Sequence, residues 1–185
     1  MNATPRRPGV MHPRLPLPEA SDGDDLEDFL AWLREAIPQV AHYGIHSPAW
    51  DATTLHWQVA LDANLNDKGT GFGGALAAET TLLGWCWTTL WLRARGRAQD
   101  VVIAEGQQRF LAPVTTDYHM QCFPLEADGI ARLEASLAEK GRGRITRPAR
   151  LLRRHALHGS PGQLRGTQVI PCRKGKSLAK QHLAR

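Results

Sequence analysis

Leu26, Phe29, Leu30 and Leu33 recur at i, i+3, i+4 and i+7, the spacing that aligns one face of an α-helix. A short amphipathic helix over 24–36 is predicted, with Asp22, Asp24 and Asp25 offering N-cap oxygens and early-turn carboxylates. Pro38 ends it, and residues 42–46 read as an extended approach. From Thr53 to Leu61 the period changes to two. Leu55, Trp57, Val59 and Leu61 share one face, which predicts a half-buried strand. A polar turn over 62–66 and a glycine-rich stretch over 68–74 follow. From Ala75 to about Arg95 nearly every position is apolar, and Glu79 is the one charge before Arg93. A helix apolar on nearly every side has to be covered on nearly every side. Such a helix spans roughly 30 Å, so its cover is a sheet wrapped around it. Arg93, Arg95 and Arg97, with Gly96 among them, close it where the macrodipole favours cations.

Beyond the helix, 101–104 and 107–111 read as a strand with Gly106 as a bulge. Residues 115–123 alternate, with Tyr118, Met120 and Cys122 opposed to His119, Gln121 and Phe123. Ile130, Leu133 and Leu137 mark a second amphipathic helix over 126–140, ended by Gly141 and Gly143. The expected fold class is α+β, a long central helix wrapped by an antiparallel sheet.

Composition narrows this reading. A chain of 185 residues with 42% apolar content suits one globular domain. No apolar run approaches a membrane span, and the first residues lack the apolar core of a secretory signal. Cys86, Cys122 and Cys172 form no CxxC pair, which argues against a disulfide framework and a zinc site. A cytoplasmic chain with free thiols, no metal and no cofactor is expected. The net charge of +5 is unevenly placed. Residues 141–185 carry 12 Lys and Arg and no acid, whereas residues 1–140 carry 11 against 18 acids. The chain therefore divides into a flexible leader over 1–23, a domain over 24–147 and a basic tail over 148–185. Pro148 cannot donate to a ladder and is expected only at an edge or bulge. The tail reads either as a disordered or aberrant end, through a changed reading frame, or as a basic arm. An arm could bind nucleic acid, a partner the rest of the chain does not favour.

The chemistry concentrates at Gly69, Gly71, Gly73 and Gly74. Clustered glycines admit positive φ and close backbone approach. The helix that follows presents unpaired N–H groups and a positive end, suited to a developing oxyanion. Lys68 precedes the glycines, so the stretch is no P-loop. A plain strand-to-helix turn would use the same residues.

The run Asn64-Leu65-Asn66-Asp67-Lys68-Gly69-Thr70-Gly71-Phe72-Gly73-Gly74-Ala75-Leu76 resembles the signature of the hotdog acyl-thioesterases, in particular the YiiD C-terminal-like family. Leu83-Gly84-Trp85, Val101-Val102-Ile103 and Arg109 to Thr115 extend the likeness over roughly 26–146. The resemblance implies a hotdog fold, a homodimer, and hydrolysis of acyl thioesters on coenzyme A or an acyl carrier protein. It also implies site roles. Asn66 would orient water or substrate, and the Gly73 N–H would polarise the carbonyl. Lys68, Phe72, Gly74 and Gln107 would contact the substrate. Better-studied hotdog thioesterases carry His-Gly-Gly, with an acid nine residues after the His. Here those positions are Phe72 and Thr81. Glu79 points away from the Thr81 face and is either catalytic or paired with Arg109 or a backbone donor. Strand alternation sends one of Gln107 and Gln108 inward, and Gln107 is taken as that one. A non-catalytic acyl-CoA or acyl-carrier binding module is the alternative.

Overall fold

The computed structural model describes residues 8–19, 23–51, 53–124, 128–153 and 164–173. Among the described residues, three α-helices, α1 (Leu26–Ala36), α2 (Gly73–Arg93) and α3 (Gly129–Lys140), accompany seven strands. The strands are β1 (Ile45–Asp51), β2 (Thr54–Val59), β3 (Asp100–Val101), β4 (Glu105–Phe110), β5 (Tyr118–Cys122), β6 (Arg142–Arg153) and β7 (Leu164–Arg173). They form one antiparallel sheet in the order β1-β2-β5-β6-β7-β3, with β4 also paired to β7.

Alternation explains how the sheet grips α2. Leu55, Trp57 and Val59 of β2 face inward and are buried, as are Tyr118, Met120 and Cys122 of β5. Ile145, Ala149 and Leu151 continue that face on β6. Against them lie Leu83, Cys86, Trp87 and Leu90 of α2. Trp87 is fully buried, its indole N–H donating to the Thr53 carbonyl at 2.7 Å. The buried Arg147 lays its guanidinium over the Trp87 ring, 3.1 Å from the centroid. This is the wrapped-helix arrangement of the hotdog fold. One stripe of α2 remains only half-buried, running through Ala77, Ala78, Thr81, Leu82, Trp85 and Thr89. The expectation of cover on nearly every side thus holds for the sheet side alone.

Several expectations are corrected. First, the sheet does not end at residue 147. Strand β6 continues to Arg153, and β7 lies within the segment read as tail. Pro148 stands inside β6, in register with Thr167 of β7. Its carbonyl accepts from the Phe123 N–H at 3.4 Å, beyond the last β5–β6 pair, Cys122 with Ala149. The N–H and C=O of a strand residue point to the same side. The donor that Pro148 lacks therefore faces past the end of β5, and β7 loses nothing. Second, the leader is not all loose. Residues 8–19 form an extended strap across α1 and the far end of α2. Arg93 donates to the Leu15 carbonyl at 2.9 Å and pairs with Asp24 at 2.6 Å, and Trp32 donates to the Pro13 carbonyl at 2.9 Å. Arg14 pairs with Asp100. Third, residues 101–111 are not one strand. β3 and β4 are separate segments pairing with successive parts of β7. Of the leader and tail, residues 1–7, 20–22, 154–163 and 174–185 lie outside the described residues.

Residues 42–46 are not a simple extended approach either. A 3-10 turn over Pro38–His42 leads into β1. That strand takes the edge of the sheet, where Pro48 is tolerated beside a register shift and Ser47 has φ 45°.

Candidate active site

The loop before α2 is closed by its own residues. The Asn66 side-chain oxygen accepts from the Lys68 N–H at 2.9 Å and the Thr70 N–H at 3.1 Å. Its amide nitrogen donates to the Thr70 hydroxyl at 3.0 Å. Gly69 sits at φ 70°, which a side chain resists. Gly71 donates to the Val114 carbonyl at 2.8 Å, and Phe72 to the Asn64 carbonyl at 2.7 Å. A Cβ on Gly71 would stand 3.0 Å from that of Val114, so this glycine permits the loop to lie against the β4–β5 connection.

These bonds deliver the start of α2 in a fixed place. Phe72 is its N-cap and offers no side-chain acceptor to the first turn. The Gly73 and Gly74 N–H groups thus meet no capping side chain. Around them the surface is apolar and exposed: Leu65, Phe72, Phe110 and Leu111 are all between 44% and 55% accessible. The Phe110 ring lies 3.6 Å from where a Gly73 Cβ would be, and the Phe72 ring folds over Gly74. Lys68 is exposed beside this rim and pairs with Asp67 at 3.1 Å.

About one turn along α2 from Gly73, a groove of about 420 Å³ follows the half-buried stripe of the helix. Ala77, Ala78, Thr81, Leu82 and Trp85 form one wall, and Val40, Tyr43 and Ile103 lie opposite. Thr81 has its hydroxyl bonded to the Ala77 carbonyl at 2.8 Å. On β4 the choice between glutamines is reversed. Gln107 is exposed, whereas Gln108 reaches the Ala77 carbonyl at 3.5 Å. β4 is a segment of its own, in register with Leu164–Val169 of β7, and its alternation turns Gln108 rather than Gln107 toward α2.

Glu79 is elsewhere. It is fully buried under the sheet, and its carboxylate accepts from the Tyr118 hydroxyl at 2.6 Å, while Arg109 lies exposed on β4. Burial pushes its carboxyl up from the ordinary 4.5 to about 8, against the lowering effect of the Tyr118 hydrogen bond. The acid is therefore largely neutral at neutral pH. Tyr118 also receives a hydrogen bond from Asn64 at 3.3 Å, and Asn64 in turn donates to the Tyr43 carbonyl at 2.8 Å. Burial, then the nearby Glu79, raise the Tyr118 phenol far above its usual range. The cluster Asn64–Tyr118–Glu79 underpins the loop from inside. Sequence reasoning gave Asn64 and Tyr118 no role. The signal was present, since Tyr118 is a hydroxyl on the inward face of β5 and Glu79 the lone acid on the helix it covers.

The sequence-derived site therefore divides. Asn66, Lys68, Phe72, Gly73 and Gly74 come together at the α2 N-terminus, whereas Glu79 and Gln107 do not join them. Among the described residues no group of three or more His, Cys, Asp and Glu could hold a metal ion, and no helix is long and apolar enough to cross a membrane.

A family model described as "Putative thioesterase (yiiD_Cterm)" matches residues 26–169. No curated protein matches the chain. Solved structures share its fold. A Chlorobaculum tepidum protein of unknown function superposes with a TM-score of 0.74 at 21% identity, covering 80% of this chain and 94% of that one. A Shewanella oneidensis protein described as a "putative thioesterase" gives 0.68 at 19% identity, covering 80% and 96%. A Haemophilus influenzae thioesterase gives 0.64 at 16% identity, covering 86% and 95%.

Proposed function

We propose that this chain, which belongs to that thioesterase family, hydrolyses acyl thioesters borne on coenzyme A or an acyl carrier protein. The observation that carries this reading is the uncapped start of α2 at Gly73 and Gly74, about one helical turn from an apolar groove along the same helix. In the proposed reaction, the acyl chain lies along Ala78, Leu82 and Trp85, with its carbonyl at the helix start. Water attacks the carbonyl carbon, and negative charge develops on the oxygen facing the Gly73 N–H. The C–S bond then breaks, and the thiolate leaves and takes up the proton that water gives up. Preorganised N–H donors of this kind contribute about 3 kcal/mol to such a barrier.

Asn66 acts here as a positioning residue, since its bonds lie within its own loop. Lys68 meets the phosphate groups of the carrier, and Phe72 flanks the thioester. The exposed rim and the half-covered stripe of α2 suit a second copy of the chain, so the working form is a homodimer. Free Cys86 and Cys122 suit a cytoplasmic setting. The second reading, a non-catalytic acyl-thioester binder, is favoured by one observation. No carboxylate or imidazole lines the groove among the described residues.

Thiol release from a panel of acyl-CoA thioesters separates the two. Release is expected, with kcat reduced about tenfold or more in Asn66→Ala and largely restored in Asn66→Asp, which keeps the acceptor oxygen. Saturable binding without release would establish the binder. Release indifferent to Asn66→Ala would remove the loop from the site.

A further inference from the structure

Beyond the groove, a second cavity of about 350 Å³ lies under the strap, toward the far end of α2. Two residues line both, Ile37 and Trp85. Each wall changes sides at them. On α2, Thr81 and Leu82 line the groove and Thr89 and Arg93 the cavity, with Trp85 between them. On the wall opposite, Val40 and Tyr43 belong to the groove and Ala36 to the cavity, with Ile37 between them. On the strand side, Ile103 lines the groove and Val101 the cavity. There the Trp85 indole N–H donates to the Val101 carbonyl at 2.9 Å. Groove and cavity are therefore successive reaches of one furrow along α2, and the Trp85 ring, held by that bond, is the step between them.

The step also divides two chemistries. Among the described residues no charged side chain lines the groove. The cavity brings in His12, Arg14, Arg93, Arg97 and Asp100. An alkyl chain laid in the groove leaves water for apolar contact. Pushed past Trp85, it would strip water from charged groups, which is costly. The available length follows from the helix. Trp85 lies 12 residues beyond Gly73, about 18 Å along the axis. Helical side chains lean toward the N-terminus, so the Trp85 ring stands about one turn, roughly 5 Å, nearer. An extended alkyl chain, staggered at each bond, advances about 1.3 Å per carbon, so about ten carbons fit in the remaining stretch of roughly 13 Å.

We infer that Trp85 sets the longest acyl chain this site accepts, at about ten carbons. The inference rests on the proposed placement of the acyl chain along α2, and its failure can be told apart from failure of the proposed reaction. Two series of coenzyme A compounds are offered to the full chain, from butyryl to palmitoyl in steps of two carbons, each below its micelle concentration. The thioesters report thiol release. The matching 2-oxoalkyl thioethers, which keep a carbonyl but have no thioester bond to cleave, report binding by calorimetry. Affinity is expected to rise about two- to fourfold for each methylene laid in the groove, and to stop rising near decanoyl, with kcat/KM following it. In Trp85→Ala the rise is expected to continue to myristoyl, whose affinity relative to decanoyl increases about tenfold over the native ratio. In Leu82→Trp, which brings an indole about 4.5 Å nearer Gly73, the rise is expected to end between hexanoyl and octanoyl. Circular dichroism and melting report whether each variant folds. If Trp85→Ala does not fold, Leu82→Trp, which adds bulk at a half-buried position of the groove, carries the test. Binding that levels off near decanoyl and shifts in the variants, without release, would end the hydrolytic reading and support this inference. Release with no ceiling, or with a ceiling that stays in place in the folded variants, would overturn the inference and leave the reaction standing. Neither binding nor release at any length would overturn both.

Discussion

Glu79 is a carboxyl group with no room for its charge. It is held neutral because burial outweighs the hydrogen bond from Tyr118. In the unfolded chain the same carboxyl ionises near its ordinary value of 4.5, whereas in the folded chain it does so near 8. Between those values the folded state holds the proton and the unfolded state does not. Stability is therefore fully present below pH 4.5, falls as pH rises toward 8, and stops falling above it, losing on the order of a few kcal/mol in total. Melting temperatures measured across that range should decline in the native chain. In Glu79→Gln, which cannot ionise, the part of the slope due to this group should vanish. A slope left intact in Glu79→Gln would assign the pH dependence to other groups.

At the scale of elements, one nearly buried ion pair anchors the strap alongside its other contacts. Arg93 and Asp24 are nearly buried, with side chains 10% and 5% accessible, and Arg93 also holds two strap carbonyls. Asp24→Asn leaves a buried guanidinium without its counter-charge, at a cost of about 3–5 kcal/mol. A urea midpoint lowered accordingly, with faster proteolytic cleavage within residues 8–19, is the expected result. None of this was legible beforehand, because a proline-rich segment without periodicity carries no sign of what it docks on. The helices were legible, since their apolar spacing survives any tertiary context, and α2 starts only two residues earlier than its composition suggested. Strand β1 was not legible beyond an extended approach over 42–46, because Pro48 and the register shift break its alternation. Strand β7 was hidden by glycine, proline and basic residues, which local propensity assigns to loops. In the site, the glycines announced the loop because only their backbone freedom allows it. The Asn64–Tyr118–Glu79 cluster joins residues from three elements, and no local pattern brings those together.

At the scale of the molecule, β7 is the strand on which closure depends. It pairs with β6 along its length on one side, and with β4 and β3 in succession on the other. Removing residues 164–185 would expose three strand edges at once and uncover part of α2. Such a truncation is expected to be insoluble or to lack a cooperative melting transition. A soluble form with a native melt would show that the remaining strands close the core alone.

This pairing also fixes an order of events. Strands β3 and β4 emerge from the ribosome some sixty residues before the strand that completes them. Until then their backbone donors and acceptors are open, beside a helix whose apolar face is only part covered. Long-range pairing of this kind forms slowly, and open edges recruit other chains meanwhile. The yield of folded protein should then be governed by synthesis rate and chaperone supply more than by the stability of the finished sheet.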